Sequence, residues 1–226
     1  MFDLNYQEVK SSCGVTHENN FFIYGGESNK RQVLQLVDCA LTLFGTIPFD
    51  HGFGPCGSSN GLIVLCFADY DAKQCRKSLK PLGEWSEMTP STFDHGSTQI
   101  ATSPGLVNLV AIEIDFSVLD SFLAVGSRWS NKAELYDFGI DDWIPVQDYP
   151  FHSGSGWFYA YDMVYIPATS AYYVIGGSDY LQYLATIGMF KNGAWSKAGQ
   201  LNTARPVSFC FLFVSVLLIQ FSVSSS

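Results

Sequence analysis

Three histidines recur in similar surroundings along this chain: Phe49-Asp50-His51-Gly52, Phe93-Asp94-His95-Gly96 and, offset by one, Phe151-His152-Ser153-Gly154. Brought to a common radius, three imidazoles would make a metal site, with Asp50 and Asp94 beside two of them to orient the rings. The plainer expectation, which we favour, is that each imidazole satisfies backbone groups where one structural unit hands over to the next. The cysteines are Cys13, Cys39, Cys56, Cys66, Cys75 and Cys210. They form no C-x-x-C pair and there is no His-x-x-x-His, so zinc has no local signature. Cys66 and Cys75 flank the short turn 68–74 and would face each other on a hairpin. Their bridging is the disulfide expected here, and it would imply an oxidising compartment; buried free thiols are the alternative. Cys13-Gly14 and Cys56-Gly57 stand at equivalent positions 43 residues apart. Asp141-Asp142 reads as a solvated loop pair rather than a general acid and base. No phosphate loop occurs.

The elements that must position these residues announce themselves as a repeat. Tyr172-Tyr173-Val174-Ile175-Gly176-Gly177 is an aromatic and β-branched run stopping at a double glycine, and Phe21-Phe22-Ile23-Tyr24-Gly25-Gly26 repeats it. Weaker copies are Ile63 to Ala68 and Phe122 to Ser127. Such runs read as buried strands, and glycine at their ends permits a turn with positive φ or a close backbone approach. The run ends are spaced by 42, 59 and 50 residues, and Trp85, Trp143 and Trp195 follow three of them after 16 to 18 residues. In the first unit Phe44 is expected to take the tryptophan's place. A period near 50 with about four strands per unit is the signature of a propeller blade. The chain then divides into units near 11–48, 49–90, 91–150 and 151–205, with a hydrophobic tail at 206–226.

An apolar run, a double glycine and a Tyr separated by six residues from a Trp together resemble the kelch repeat. Gly25, Gly26, Gly176 and Gly177 fit its glycines, and Tyr136 with Trp143 fits the aromatic pair. The second unit departs with Phe67-Ala68 and the third with Gly126-Ser127, and the first has no Trp. The resemblance spans residues 13 to about 205. It implies an all-β, kelch-type β-propeller of about four antiparallel four-stranded blades. Because kelch propellers typically close with six or seven blades, it also leads us to expect an incomplete ring and a fragment of a longer chain. Galactose oxidase has a kelch-like propeller with a copper radical site, so a copper or carbohydrate-active enzyme is the analogy to weigh. The tyrosines here do not match that site residue by residue.

Composition narrows the partners. Lys plus Arg number 12 against 21 Asp plus Glu, a net charge of −9, and no basic run is present, which argues against a phosphate backbone as ligand. Apolar residues make up 47% of the chain and aromatics 15%, ample for a large core rich in strand formers. Residues 1–20 lack an apolar h-region, so the expectation is a cytosolic protein or a true start upstream. Residues 206–223 are uncharged and about long enough to span a bilayer. Three readings of that tail stay open: a membrane or lipid-anchor signal, strands that complete a sheet, or translated intron.

The function expected from these residues is a non-enzymatic protein-interaction module, without cofactor, whose partner is another protein. Membrane association would come only through the tail. Extracellular placement is favoured if Cys66 and Cys75 are bridged, and cytoplasmic placement otherwise. Contact segments are expected in the loops 27–32, 69–73, 128–132 and 178–183, with Arg128 and Trp129 the leading pair because exposed Arg and Trp are typical hot-spot residues.

Overall fold

Among the described residues sixteen strands form four antiparallel sheets of four. The computed structural model describes residues 12–205 except 27, 39, 53, 60, 69–70, 96–99, 103–120, 128–129, 153–157, 159–160 and 180–181. The first blade contains β1 (Cys13–His17), β2 (Asn20–Tyr24), β3 (Gln32–Val37) and β4 (Ala40–Thr46). The second has β5 (Cys56–Ser59), β6 (Leu62–Cys66), β7 (Cys75–Ser78) and the short β8 (Ser86–Glu87). The third has β9 (Ile100–Thr102), β10 (Ser121–Ser127), β11 (Ser130–Asp137) and β12 (Asp142–Val146). The fourth has β13 (Asp162–Ile166), β14 (Ala171–Ile175), β15 (Thr186–Lys191) and β16 (Ala194–Gln200). Within each sheet the strands lie in chain order. The first strands of successive blades are neighbours, β1 beside β5, β5 beside β9 and β9 beside β13. The tail 206–226, Cys39 and Cys210 lie outside the described residues.

Period-two alternation decides which side chains fill which seam. On β10, Phe122 and Ala124 point to the second blade and join Val64, Cys66 and Met88. Their neighbours Leu123 and Val125 point the other way and join Met163, Tyr172 and Val174 of the fourth blade. The first seam has the same logic, with Val15, Phe22, Tyr24 and Val33 packed on Ile63 and Leu65. Each inter-blade seam is therefore an apolar layer supplied half by each sheet, as face-to-face sheet packing requires.

Tight turns set the registers. Glu18 and Asn19 both adopt positive φ at +47° and +64°, as do Asn192 and Gly193 at +52° and +77°, the backbone that a two-residue hairpin needs. The second pair joins β15 to β16. The glycine positions also have a geometric cause. Gly25, Gly126 and Gly176 have φ of +66°, +63° and +67°. A Cβ on Gly176 would lie 2.8 Å from the Arg205 carbonyl oxygen, and one on Gly25 would collide with the His51 carbonyl. In the second unit Phe67 takes the same left-handed conformation at +52°, in the place that glycine holds elsewhere.

One expected equivalence is corrected. Trp143 pairs with Tyr136 and Trp195 with Phe190, and the matching pair in the first blade is Leu41 with Leu36. Leu41 therefore holds the tryptophan position. Phe44 points across the sheet to the other side, its ring 5.2 Å from that of Phe22. A fixed offset fails here because the loop between the double glycine and the third strand is shorter, residues 27–31 in the first blade against 178–185 in the fourth.

Candidate functional site: the loop end and the blade seams

Backbone hydrogen bonds bring the loops of one end together. The loop after the second strand of a blade carries a carbonyl that accepts from the segment leaving the same blade. His51 N–H donates to Lys30, His95 N–H to Ala72 and Arg205 N–H to Leu184, at 2.8, 2.8 and 3.2 Å. A companion bond lies beside each, from Ile47 to Arg31, Ser91 to Lys73 and Leu201 to Ala185. Tyr149 to Asn131 makes the same bond in the third blade. Glycine-ended strand, loop and exit segment thus form one hydrogen-bonded corner that repeats from blade to blade. The loops expected to carry contacts all emerge at this end, but Arg128 and Trp129 lie outside the described residues.

The charged groups here are mostly exposed. Arg31 Nε donates to Asp50 at 2.6 Å, and that hydrogen bond above all holds the Asp50 carboxyl below its ordinary range. Lys132 pairs with Asp148 at 2.8 Å and lies 5.5 Å above the Phe93 ring. Lys73 Nζ donates to the Thr92 carbonyl. Exposed pairs of this kind stabilise the fold little, and so leave the charges available to a ligand.

The recurrent histidines are not gathered around a common point. His95 is fully buried, with Nδ1 3.0 Å from the Gly126 carbonyl and Nε2 2.9 Å from Glu134 Oε2. His51 Nε2 is 3.4 Å from Cys13 Sγ, and His152 Nε2 is 2.8 Å from Asn131 Nδ2. Among the described residues no three His, Cys, Asp or Glu side chains meet as a metal-holding group. For His95 the expected satisfaction of a backbone group is what the geometry delivers, with a carboxylate added.

That carboxylate was invisible in the sequence. Glu134 sits mid-strand in β11, fully buried, and accepts from the Thr92 and Phe93 N–H groups at 3.2 and 3.0 Å as well as from His95. Burial acts to raise its pKa, but the hydrogen bonds from His95, Phe93 and Thr92 outweigh it, and the carboxyl is held below its ordinary value. The Gly126 carbonyl can only accept, so His95 Nδ1 is the donor there, and Nε2 faces the Glu134 carboxylate. The arrangement is a buried histidine–carboxylate pair locked between two blades.

Two further contacts of the seams escaped the sequence. Asp141 accepts from the Tyr136 hydroxyl and, at 2.6 Å, from Lys77 Nζ of the second blade, while its carbonyl accepts from Thr89. Lys77 first, then Tyr136, holds its carboxyl below the ordinary range, whereas burial first and Asp141 second push the Tyr136 phenol well up. Asp141 is exposed in the turn before β12, as its sequence context suggests, and from there also bonds across the seam. The cysteines are paired twice. Cys66 joins Cys75 across the β6–β7 hairpin as expected, and Cys13 joins Cys56 between β1 and β5. Only the matching positions of Cys13 and Cys56 in successive units hinted at the second bridge.

The three tryptophans each lean on the blade before. Trp85 meets Tyr24 and Phe49, Trp143 meets Phe67 and His95, and Trp195 meets Tyr149. Trp143 and Trp195 donate their indole N–H to the Thr89 and Gln147 carbonyls at 2.8 Å. The Trp85 indole N–H is buried without a hydrogen-bond partner.

Four-stranded antiparallel sheets, glycine-ended second strands and a tryptophan wedged against the preceding blade define a kelch-type β-propeller, and that is the fold of this chain. Among solved structures it is similar to the one titled "Structure of YjhT", with a TM-score of 0.64 and 9% identity over 89% of this chain and 68% of that one. At that identity the likeness is one of fold. No family model matches the sequence, and no curated protein matches it.

Proposed function

We propose that this chain is a non-enzymatic binding module that holds another protein on the loop end of its blades. The observation that carries the reading is the repeated corner, in which His51, His95 and Arg205 fasten the exit segments to the Lys30, Ala72 and Leu184 carbonyls. Loops rooted in this way are presented on a rigid base, which lowers the ordering cost of binding. The contact residues are drawn from the segments 27–32, 69–73, 128–132 and 178–183, with Arg128 and Trp129 foremost and exposed Arg31, Lys73 and Tyr183 beside them. A net charge of −9 disfavours nucleic acid as the partner. The two disulfides support an oxidising compartment.

The test is cross-linking mass spectrometry on the full chain with proteins captured from the native source. Cross-links concentrated on the four loop segments, and capture lost in an Arg128→Glu, Trp129→Ala variant with unchanged unfolding temperature, would support the reading. Capture that survives both changes, with cross-links elsewhere, would overturn it. Copper uptake by the full chain with turnover of a sugar's primary alcohol would establish the galactose-oxidase analogy in its place.

A further inference from the structure

The two disulfides sit in different surroundings. Cys66 and Cys75 are 1% and 0% exposed, inside the layer between the second and third blades. Cys13 and Cys56 are only partly buried and tie the first strands of the first two blades together across 43 residues. An imidazole is aimed at one of these sulfurs: His51 Nε2 lies 3.4 Å from Cys13 Sγ. Its position is fixed. The His51 N–H is bonded to the Lys30 carbonyl, the residue is 2% exposed, and its ring lies so close to Gly54 that a Cβ there would be 2.7 Å from Cε1.

We propose that Cys13–Cys56 is a thiol–disulfide exchange site, opened by a small thiol of the glutathione class, while Cys66–Cys75 stays closed. The incoming thiol gives its proton to water and its sulfur forms a bond to Cys56 Sγ. The Cys13–Cys56 bond breaks, the electron pair leaves on Cys13 Sγ, and that thiolate, held by a hydrogen bond from His51 Nε2–H, takes its proton from water. A second thiol then attacks the mixed disulfide, freeing the Cys56 thiol and leaving the reductant oxidised as its own disulfide. Two electrons have passed from the small thiol to the protein. His51 touches the leaving sulfur and so acts directly in the step, since exchange is faster when the leaving thiolate is stabilised. The same reaction at Cys66–Cys75 is blocked because no thiol reaches a sulfur that is fully covered.

Opening this bridge removes the covalent tie of the first seam and leaves its apolar layer to hold it, with Arg76 over Phe49 and Trp85 at its edge. The second seam is untouched. Reduction therefore loosens the first blade and its loop at 27–32 without unfolding the rest.

The experiment is timed reduction of the native full chain with glutathione, quenched by alkylation and mapped by mass spectrometry, with Cys66–Cys75 as the internal reference. Cys13 and Cys56 should become labelled about tenfold or more ahead of Cys66 and Cys75, the size of effect that exposure and leaving-group stabilisation together give. His51→Gln should slow the opening of Cys13–Cys56 relative to wild type. If His51 only packs the corner, the substitution loosens the site and the bridge opens faster. Equal labelling of the two bridges in wild type, or a His51→Gln variant that opens as fast or faster, overturns the proposal. The wild-type comparison decides even if the variant does not fold.

Discussion

The first and second seams put equivalent residues to different use. At the first, Arg76 of the second blade lies 4.6 Å above the Phe49 ring, His51 contacts a sulfur, and a disulfide joins the sheets. At the second, Glu134 occupies the position matching Arg76, and it gathers Thr92, Phe93 and His95 of the matching exit segment. The tryptophans differ as well, since Trp143 satisfies its indole N–H and Trp85 does not. To its apolar layer the first seam adds a covalent tie and a cation over a ring, and the second adds a buried histidine–carboxylate network. The propeller's backbone plan therefore fixes where two blades meet and leaves the chemistry of the joint to a few side chains.

The difference is best broken at its strongest point. Glu134→Ala leaves His95 Nε2 buried without a partner and takes the acceptor from the Thr92 and Phe93 N–H groups, and should cost about 3–5 kcal/mol in urea unfolding, the usual penalty for removing one partner of a buried pair. Its pH dependence has a definite sign. The folded pKa lies below the ordinary one, so the contribution is complete above about pH 4.3 and is lost as pH falls through the lower folded value. Acid titration of Glu134→Gln should accordingly show a flatter loss of stability on that limb than wild type.

Paired Cys13→Ser and Cys56→Ser changes should destabilise by about 4 kcal/mol on loop-entropy grounds, against about 2–3 kcal/mol for Cys66→Ser with Cys75→Ser, because the first bridge closes the longer loop. Hydrogen exchange would sharpen the contrast: loss of protection should concentrate in β1 and β2 for the first pair. Arg76→Ala should cost roughly 1 kcal/mol, the scale of a partly exposed cation–ring contact, and a far larger loss in thermal melts would show that Arg76 holds more than the Phe49 ring. Arg31→Ala, which removes an ion pair exposed on both sides, should stay within about 0.5 kcal/mol of wild type.

The repeat was legible because its requirements are local. Tyr172 to Gly177 and Phe21 to Gly26 show strand chemistry and then glycine, and the geometry supplies the reason, a left-handed corner pressed against an exit carbonyl. The tryptophan spacing worked in three units and misled in the first, where a shorter loop after Gly26 puts Leu41 in the position expected for Phe44. The seam chemistry was far less legible. Glu134 stands in Ala133-Glu134-Leu135, a context that marks an exposed strand residue, and nothing near it in the chain names His95, 39 residues earlier. Asp141 is solvated as its context suggests, and only its bond to Lys77 of the second blade was not legible. Cys66 and Cys75 could be paired because a hairpin places them opposite each other, whereas Cys13 and Cys56 come together only when two blades stack.

By itself, then, the sequence determined the element type, the hairpin turns, the four units and the glycine corners, since each depends on residues within a few positions of one another. Tertiary structure alone decided which faces meet, which histidine finds a carboxylate and which a sulfur, and which of two bridges is covered. Those outcomes are set by the stacking of sheets, which brings together residues some 40 positions apart at spacings that no local pattern encodes.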